Sequence, residues 1–407
     1  MSKAIAVIGA NFGDEGKGLA TDYFARKLKS PMVARGNGGA QAGHTVVDGD
    51  NRHVFGHVGS GTFAGASTYL GAAFIANPLT LFKELKKLGT HARIYAHPEC
   101  RVTTIYDMAI NSLIELKRGV DRHGSCGQGI NETVTRHLAG FHLTMLHVTS
   151  DSLRELAQRV EIIRDKWVPM RMLQLDISRS DFDTEQAKLY FEILDMRPGV
   201  VAEQLMHHGD LIKLVDPKAL LKEHDTLVVE GAQGLMLDEF LGDFPHVTRS
   251  ITGLASSIRV AAECGKTQIT PIYMTRAYLT RHGAGPLPFA NITISDRDIP
   301  TDQTNLDNDW QGAIRNSPLQ LKELKWYIEA DLQRAVFASQ IFGVEIKTPQ
   351  LFITCMDQIG EVVNVINTKG KLHMVTKEFL PDYIEEELGI KVGFLSYGPT
   401  AANVVVR

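Results

Sequence analysis

Apolar residues fall in short runs broken by glycine-rich turns at both ends of the chain, and recur at helical spacing in its middle. Ala4–Ile8 is a continuous apolar run, too short for a buried helix and the right length for a strand covered on both faces. Gly9–Gly18 reads as a glycine-rich turn, and Leu19–Lys29 as a helix. Met32–Arg35 predicts a second short strand that runs straight into Gly36-Asn-Gly-Gly-Ala-Gln-Ala-Gly-His-Thr45. A strand at Arg93–Ala96 and a helix near Tyr106–Arg118 follow, and then Gly124-Ser-Cys-Gly-Gln-Gly129. Residues 140–225 are charged, poor in glycine and helical in pattern, as in Asp151–Trp167 and Asp183–Leu194. Alternation resumes with strands at Thr226–Glu230, Gln268–Met274 and Leu351–Cys355 and a turn at Gly231–Gly234. This pattern predicts an α/β fold: a mainly parallel central sheet with helices on both faces. We expect one domain over residues 1–407, with a helical subdomain at 140–225.

Composition narrows the function classes. The chain has 407 residues, 44% apolar and 22% charged, so a large core is possible and wholesale disorder is excluded. A net charge of −4 argues against a nucleic-acid-binding protein. No apolar run approaches the roughly 18–20 residues of a membrane helix, so no membrane partner is expected. The N-terminus reads as a strand and a turn, not a signal peptide. Cys100, Cys126, Cys264 and Cys355 show no paired spacing, as expected of reduced thiols in the cytoplasm.

The chemistry sits in the glycine-rich loops. Gly13-Asp-Glu-Gly-Lys-Gly18 lies between a strand and a helix, where open α/β sheets bind phosphate on backbone N–H groups and the positive helix end. It is not a Walker A loop: Asn11 stands where the first glycine is required, and Gly18 where Ser or Thr is required. Nor does the dinucleotide fingerprint follow the first strand; Gly59-Ser-Gly-Thr-Phe-Ala64 fits its looser form but lacks the βαβ setting. Carboxylates repel phosphate, so Asp14 and Glu15 make sense there if one holds Mg²⁺ or acts as a base. On spacing alone, Asp14 could equally cap the helix, with Lys17 solvated. Gln41-Ala-Gly-His-Thr45 places His44 in a glycine-rich loop away from any apolar stripe, which suits a catalytic role as well as a structural one. Glu230-Gly-Ala-Gln-Gly234 offers Gln233, whose amide can both donate to and accept from a base edge; the alternative is a polar turn.

Together these loops resemble those of the adenylosuccinate synthetase family. Gly13-Asp-Glu-Gly-Lys-Gly18 is similar to its first signature loop and Ala42-Gly-His-Thr45 to its second. Glu230-Gly-Ala-Gln-Gly234 and Phe244-Pro-His-Val-Thr248 resemble its nucleotide-reading stretch. Thr280-Arg-His-Gly-Ala-Gly-Pro286 resembles its Thr-Arg-Val-Gly-Ala-Gly-Pro segment, and Gly398-Pro399 its C-terminal Gly-Pro. The matches are collinear and span nearly the whole chain outside residues 140–225.

The resemblance implies a ligase that joins the amine of L-aspartate to C6 of a purine nucleoside monophosphate. A nucleoside triphosphate first phosphorylates O6, Mg²⁺ is the cofactor, and the enzyme is a cytoplasmic homodimer (in the host cytoplasm if phage-encoded). It implies Asp14 as the acceptor of the N1 proton and a Mg²⁺ ligand, His44 as general acid or hydrogen-bond donor at the transferring phosphate, Lys17 as charge clamp and the Gly43 carbonyl as a further Mg²⁺ ligand. Nucleotide contacts are implied for Gly13, Glu15, Gly16, Gly18, Gln41, Thr45, Ser125, Cys126, Gln233, Thr248, Asp357 and Gly398. Arg136 is implied to reach a neighbouring subunit's nucleotide phosphate. The family's arginine-rich aspartate loop is much altered, and Thr304, Asn305 and Arg315 are its remnants. Other departures are Ser125-Cys-Gly-Gln-Gly129 for Thr-Thr-Gly-Arg-Gly, Thr354-Cys-Met-Asp357 for Thr-Lys-x-Asp, and Thr400 after Gly398-Pro399. The leading expectation is IMP, aspartate and GTP giving adenylosuccinate, GDP and phosphate. A second is the phage-type branch that uses dGMP and ATP, and a third, from another class, is a catalytically inactive nucleotide-binding regulator.

Overall fold

The computed structural model describes residues 3–89, 92–119, 122, 124–125, 127–220, 224, 226–302, 304–305, 307 and 312–407. Among these, eleven strands form one central sheet. Its order is Val404–Val406, Val392–Ser396, Gln350–Thr354, Gln268–Arg276, Lys3–Gly9, Thr226–Gly234, Met32–Arg35, Ser67–Leu70, Ile94–Ala96 and Lys213–Leu214, with Glu345–Ile346 beside the start of Gln268–Arg276. The pairs are parallel except Val404–Val406, which runs antiparallel on Val392–Ser396.

The first strand shows why the sheet is covered on both sides. Successive side chains of a strand point to opposite faces. Ala4, Ala6 and Ile8 join one apolar core with Leu254, Ile258, Leu321, Ile328 and Ile384 of three helices. Val7 joins another with Ala20, Tyr23 and Phe24 of the helix Lys17–Ala25. The predicted α/β architecture is therefore the one observed.

Residues 140–225 carry the α-helices Met145–Ser150, Leu153–Ile162, Val168–Gln174, Glu185–Leu194 and Pro198–Gly209, with a π-helical turn at Ile163–Trp167. They do not keep a core to themselves. Leu156, Val160, Trp167 and Phe191 share one cluster with Leu70, Ile94, Ala96 and Tyr106 from the edge of the sheet and its nearest helix. Among the described residues, no helix is long and apolar enough to cross a membrane.

Two local readings change. The predicted turn Gly231–Gly234 is a continuation of the strand Thr226–Gly234, its register shifted where Val7 and Gly9 meet Glu230 and Gly234. A Cβ on Gly231 would lie 2.9 Å from the Val7 carbonyl oxygen, so glycine here permits close strand approach instead of a turn. The loop after Met32–Arg35 ends in an unpredicted hairpin, His44–Asp48 with Asn51–Phe55. The loops that end Lys3–Gly9, Met32–Arg35, Gln268–Arg276 and Gln350–Thr354 all leave the carboxyl end of the sheet, where open α/β folds bind ligands.

Candidate active site

The loop after the first strand is held open by its own acid. Glu15 turns inward: Oε1 accepts from the N–H groups of Asn11 (3.0 Å) and Gly13 (2.9 Å), and Oε2 from Lys17 Nζ at 2.7 Å. This buried pair fixes Lys17 at the start of the helix Lys17–Ala25. Gly13 and Gly16 take φ 91° and 86°, and Asp14 takes 63°. That left-handed conformation costs a non-glycine residue on the order of 1 kcal/mol, a strain typical of functional sites. Burial raises the Asp14 pKa while Arg276 and Lys17 oppose it, and no described residue donates a hydrogen bond to its carboxylate. The Asp14 carbonyl accepts from Arg276 Nε at 2.6 Å, and Arg276 Nη2 in turn pairs with Asp302 at 3.0 Å.

The second loop delivers His44 against this one. His44 Nδ1 lies 2.6 Å from Glu230 Oε1. Glu230 is fully buried; burial raises its pKa, but Arg35, His44 and Ser60 outweigh that and hold it at about 2. Being ionised, Glu230 can only accept, so His44 Nδ1 carries the proton and Nε2 is the free ring nitrogen. Ser60 binds the same carboxylate through its N–H (3.1 Å) and its hydroxyl, with Arg35 at 3.8 Å. Burial lowers the His44 pKa, Glu230 opposes, and Lys17 lowers it further. Lys17 thus acts electrostatically on both Asp14 and His44. The contact is also steric: a Cβ on Gly18 would lie 2.8 Å from the Thr45 carbonyl oxygen and 3.1 Å from His44 Cβ.

Beside these loops lie buried amides with nothing to bind. Among the described residues, Gln41 Nε2 and Oε1 and Gln233 Oε1 have no hydrogen-bond partner. Both side chains border Gly38, whose missing Cβ would sit 3.2 Å from Gln233 Oε1 and 3.3 Å from Gln41 Nε2. Leaving such groups dry and unpaired costs about 1–3 kcal/mol each, which a ligand with matching donors and acceptors would recover. Gln233 also holds φ 56°. The segment around residue 304 closes the other side: Thr304 Oγ1 is 3.1 Å from Thr45 Oγ1 and accepts from Arg52 Nη2 at 2.6 Å. Asp302 organises it by accepting from the N–H groups of Thr304 and Asn305.

Residues 6–300 match the adenylosuccinate synthetase family model. The chain belongs to the adenylosuccinate synthetase family. Members are C–N bond-forming ligases of purine biosynthesis. It is 26% identical to the adenylosuccinate synthetase of Thermoplasma volcanium over 395 residues, 96% of this chain and 84% of that protein. To that of Clostridium novyi it is 31% identical over 295 residues, 70% of this chain and 65% of that one. Two solved structures share the fold. The fully ligated Plasmodium falciparum adenylosuccinate synthetase superposes with TM-score 0.70 at 18% identity, covering 99% of each chain. The cyanophage S-2L succinoaminodeoxyadenylate synthetase, bound to dGMP and dATP as an energy donor, gives 0.60 at 15% identity, covering 100% of this chain and 95% of that one.

Not all of the family's implied residues meet at the two packed loops. Gly13, Asp14, Glu15, Gly16, Lys17, Gly18, Gly43, His44 and Thr45 lie in the two packed loops, with Gln41 and Gln233 beside them. Thr248 donates its N–H to the Leu237 carbonyl, two residues before Ser250, which accepts from the Gly38 N–H. Thr354 Oγ1 donates to the Glu15 carbonyl, which sets the segment leading to exposed Asp357 against the first loop. Gly398 lies two residues before Thr400, which bridges to Val47 of the hairpin. Ser125 precedes Ile130, whose side chain reaches Gly39. Arg315 stands opposite Arg281 in a two-stranded ladder and donates to the Gly283 carbonyl at 2.7 Å. Cys126 lies outside the described residues.

Arg136 is held inside the chain's own fold. It is buried, with its guanidinium on both Asp107 oxygens and on the Phe141 and Val102 carbonyls. So engaged, it ties a helix end to the core. Other residues of the site escape a reading of the sequence. Glu230 is visible in its motif, but nothing local shows that it faces a histidine 186 positions away. Arg276, Asp302 and Arg52 carry no motif, and Ser60 lies only in the Gly59–Ala64 stretch whose looser fingerprint points to a different chemistry.

Proposed function

We propose that this protein is a purine-nucleotide:L-aspartate ligase that consumes IMP, aspartate and GTP and releases adenylosuccinate, GDP and phosphate. The observation that carries the reading is the packing of Lys17, Asp14 and the Glu230-oriented His44 beside two buried amides with unused hydrogen-bonding atoms. Gln41 and Gln233, with Thr248, suit a purine nucleotide. Asp14, half-buried and with no donor among the described residues, takes the N1 proton, which makes O6 nucleophilic. O6 then attacks the terminal phosphorus of the triphosphate and the diphosphate leaves. Lys17 offsets charge at the transferring group, and His44 donates to it only after its free Nε2 takes up a proton; in phosphoryl transfer, preorganised groups of this kind usually supply most of the rate enhancement. The aspartate amine adds at C6 and phosphate departs, with Thr304, Asn305 and Arg315 on the amino-acid side and Asp357 toward the donor base.

The donor set fits Mg²⁺. A half-buried carboxylate that accepts no hydrogen bond from the described residues is what a hard cation uses when substrate phosphates complete its shell. Asp14 and the Gly43 carbonyl would hold it, and it would supply neutralisation of phosphate charge.

A second reading, dGMP with ATP, is favoured by Gln128, whose buried Oε1 has no partner among the described residues and can accept from an exocyclic amine. An acceptor panel of IMP, dIMP, GMP and dGMP with aspartate, Mg²⁺ and GTP or ATP, read by adduct mass, tests both. The expected result is the highest kcat/KM with IMP. Equal or better turnover of dGMP transfers the assignment to the second reading, and no adduct from any acceptor ends both.

A further inference from the structure

The charges around the site divide into those already neutralised and those that are not. Lys17 is paired with Glu15, and Arg276 with Asp302. Arg52 is different. It is exposed on the strand Asn51–Phe55 of the hairpin that begins with His44, and no described carboxylate pairs with it. Among the described residues its guanidinium makes one side-chain hydrogen bond, from Nη2 to Thr304 Oγ1 at 2.6 Å. Thr304 Oγ1 is 3.1 Å from Thr45 Oγ1, and Thr45 is the residue after His44. The hairpin thus carries an accessible cation to the edge of the reaction centre and rests it on a hydroxyl, with most of its donors unused.

We infer that Arg52 holds a carboxylate of the amine donor, L-aspartate, beside the Thr304 and Thr45 hydroxyls. The inference rests on the ligase reading. A guanidinium presents its N–H groups as a planar fork that matches a carboxylate, and such charge-assisted pairs are about twice as strong as neutral hydrogen bonds. Aspartate has two carboxylates, and one arginine meets one of them. Arg315, on a different strand, is available to the second. The altered 300s segment, with Arg315 its only arginine from 299 to 333, leaves a cation to be supplied from elsewhere in the fold, and the hairpin brings one.

The test uses the full chain and the variants Arg52→Gln, Arg52→Lys and Thr304→Val. With nucleotides saturating, Arg52→Gln should raise the aspartate KM at least tenfold and leave both nucleotide KM values within twofold. Arg52→Lys should fall between, and Thr304→Val, which keeps the cation, should cost less than Arg52→Gln. A merely structural tie between hairpin and loop would instead shift nucleotide and aspartate KM together, and that result, or an unchanged aspartate KM, overturns the assignment. A second readout does not need turnover: protection against thermal unfolding by succinate, compared with sodium chloride of equal ionic strength, in the presence of nucleotides. Protection of the wild type that is lost in Arg52→Gln supports the carboxylate site, and equal protection overturns it. Failure of the wild type to form any aspartate adduct would refute the ligase reading, whereas normal wild-type turnover with an insensitive Arg52→Gln would refute only the role of Arg52.

Discussion

Gly18→Ala probes the packing on which the site depends. Gly18 is the second residue of the helix Lys17–Ala25, so on propensity alone alanine should stabilise the protein by about 1 kcal/mol. The structure predicts the opposite. The new Cβ would meet the Thr45 carbonyl oxygen at 2.8 Å and His44 Cβ at 3.1 Å, and the nearer obstacle is backbone that cannot rotate away. Ordinary contact begins near 3.4 Å. The hairpin must therefore back off the helix by roughly half an ångström, and overpacking of this kind costs about 1–3 kcal/mol. After the helical gain, a net loss of about 0–2 kcal/mol remains. The catalytic effect should be larger, because the shift separates His44 from Lys17 and Asp14, and a misplacement of ~1 Å can cost about a hundredfold in rate. Steady-state kinetics with all substrates saturating should show kcat down by roughly 10–100-fold, with nucleotide KM values changing far less. Thermal unfolding alongside separates lost stability from lost geometry. A variant as active as the wild type and more stable by about 1 kcal/mol would show that the hairpin does not pack on the helix, and the convergence of the two loops would have to be abandoned.

Asp14→Asn and His44→Ala should each lower kcat by roughly 10²–10⁴-fold with the fold retained by circular dichroism, the scale expected for losing an acid–base group; unchanged turnover in either removes that residue's role. Arg315→Leu should raise the aspartate KM far more than the nucleotide KM, since a bidentate charged contact is worth on the order of 1.5–3 kcal/mol; parallel changes in both would move Arg315 out of the amino-acid pocket. Glu230→Gln should show its effect in the pH dependence of stability. The folded-state pKa of Glu230 is depressed from 4.5 to about 2, so its stabilisation is complete above the unfolded value and is lost as pH falls through the folded one. The stability gap between wild type and variant should be constant above about pH 5.5 and close between pH 4.5 and 2; a gap that persists unchanged to pH 2, measured by denaturant titration, contradicts the buried ion pair.

How much of the site is legible in sequence depends on distance along the chain. The first loop is readable because its parts are adjacent: glycines where φ is positive, a lysine at the helix start, two acids between them. Even there the division of labour is not. Sequence cannot say that Glu15 folds inward to brace Lys17 while Asp14 keeps an unbonded carboxylate. Arg136 is a second case: a loose family match implies a phosphate ligand, and no local pattern shows that its guanidinium is buried against Asp107.

The sequence by itself determined the elements and their order. Apolar runs of strand length, glycine turns and 3.6-residue periodicity are local properties, and short-range sterics and burial on both faces of a strand suffice to choose an α/β sheet. It also determined which loops carry chemistry, since a residue type in a glycine-rich setting is itself a local signal. Only the tertiary structure decided which groups meet. Glu230 reaches His44 because the strands Thr226–Gly234 and Met32–Arg35 are neighbours in the sheet, and Arg52 reaches Thr304 because the hairpin folds across a loop some 250 residues later. Whether a carboxylate is a base, a brace or an orienting partner follows from its burial and from the charges around it. Those are set by residues distant in the chain, and no local pattern encodes them.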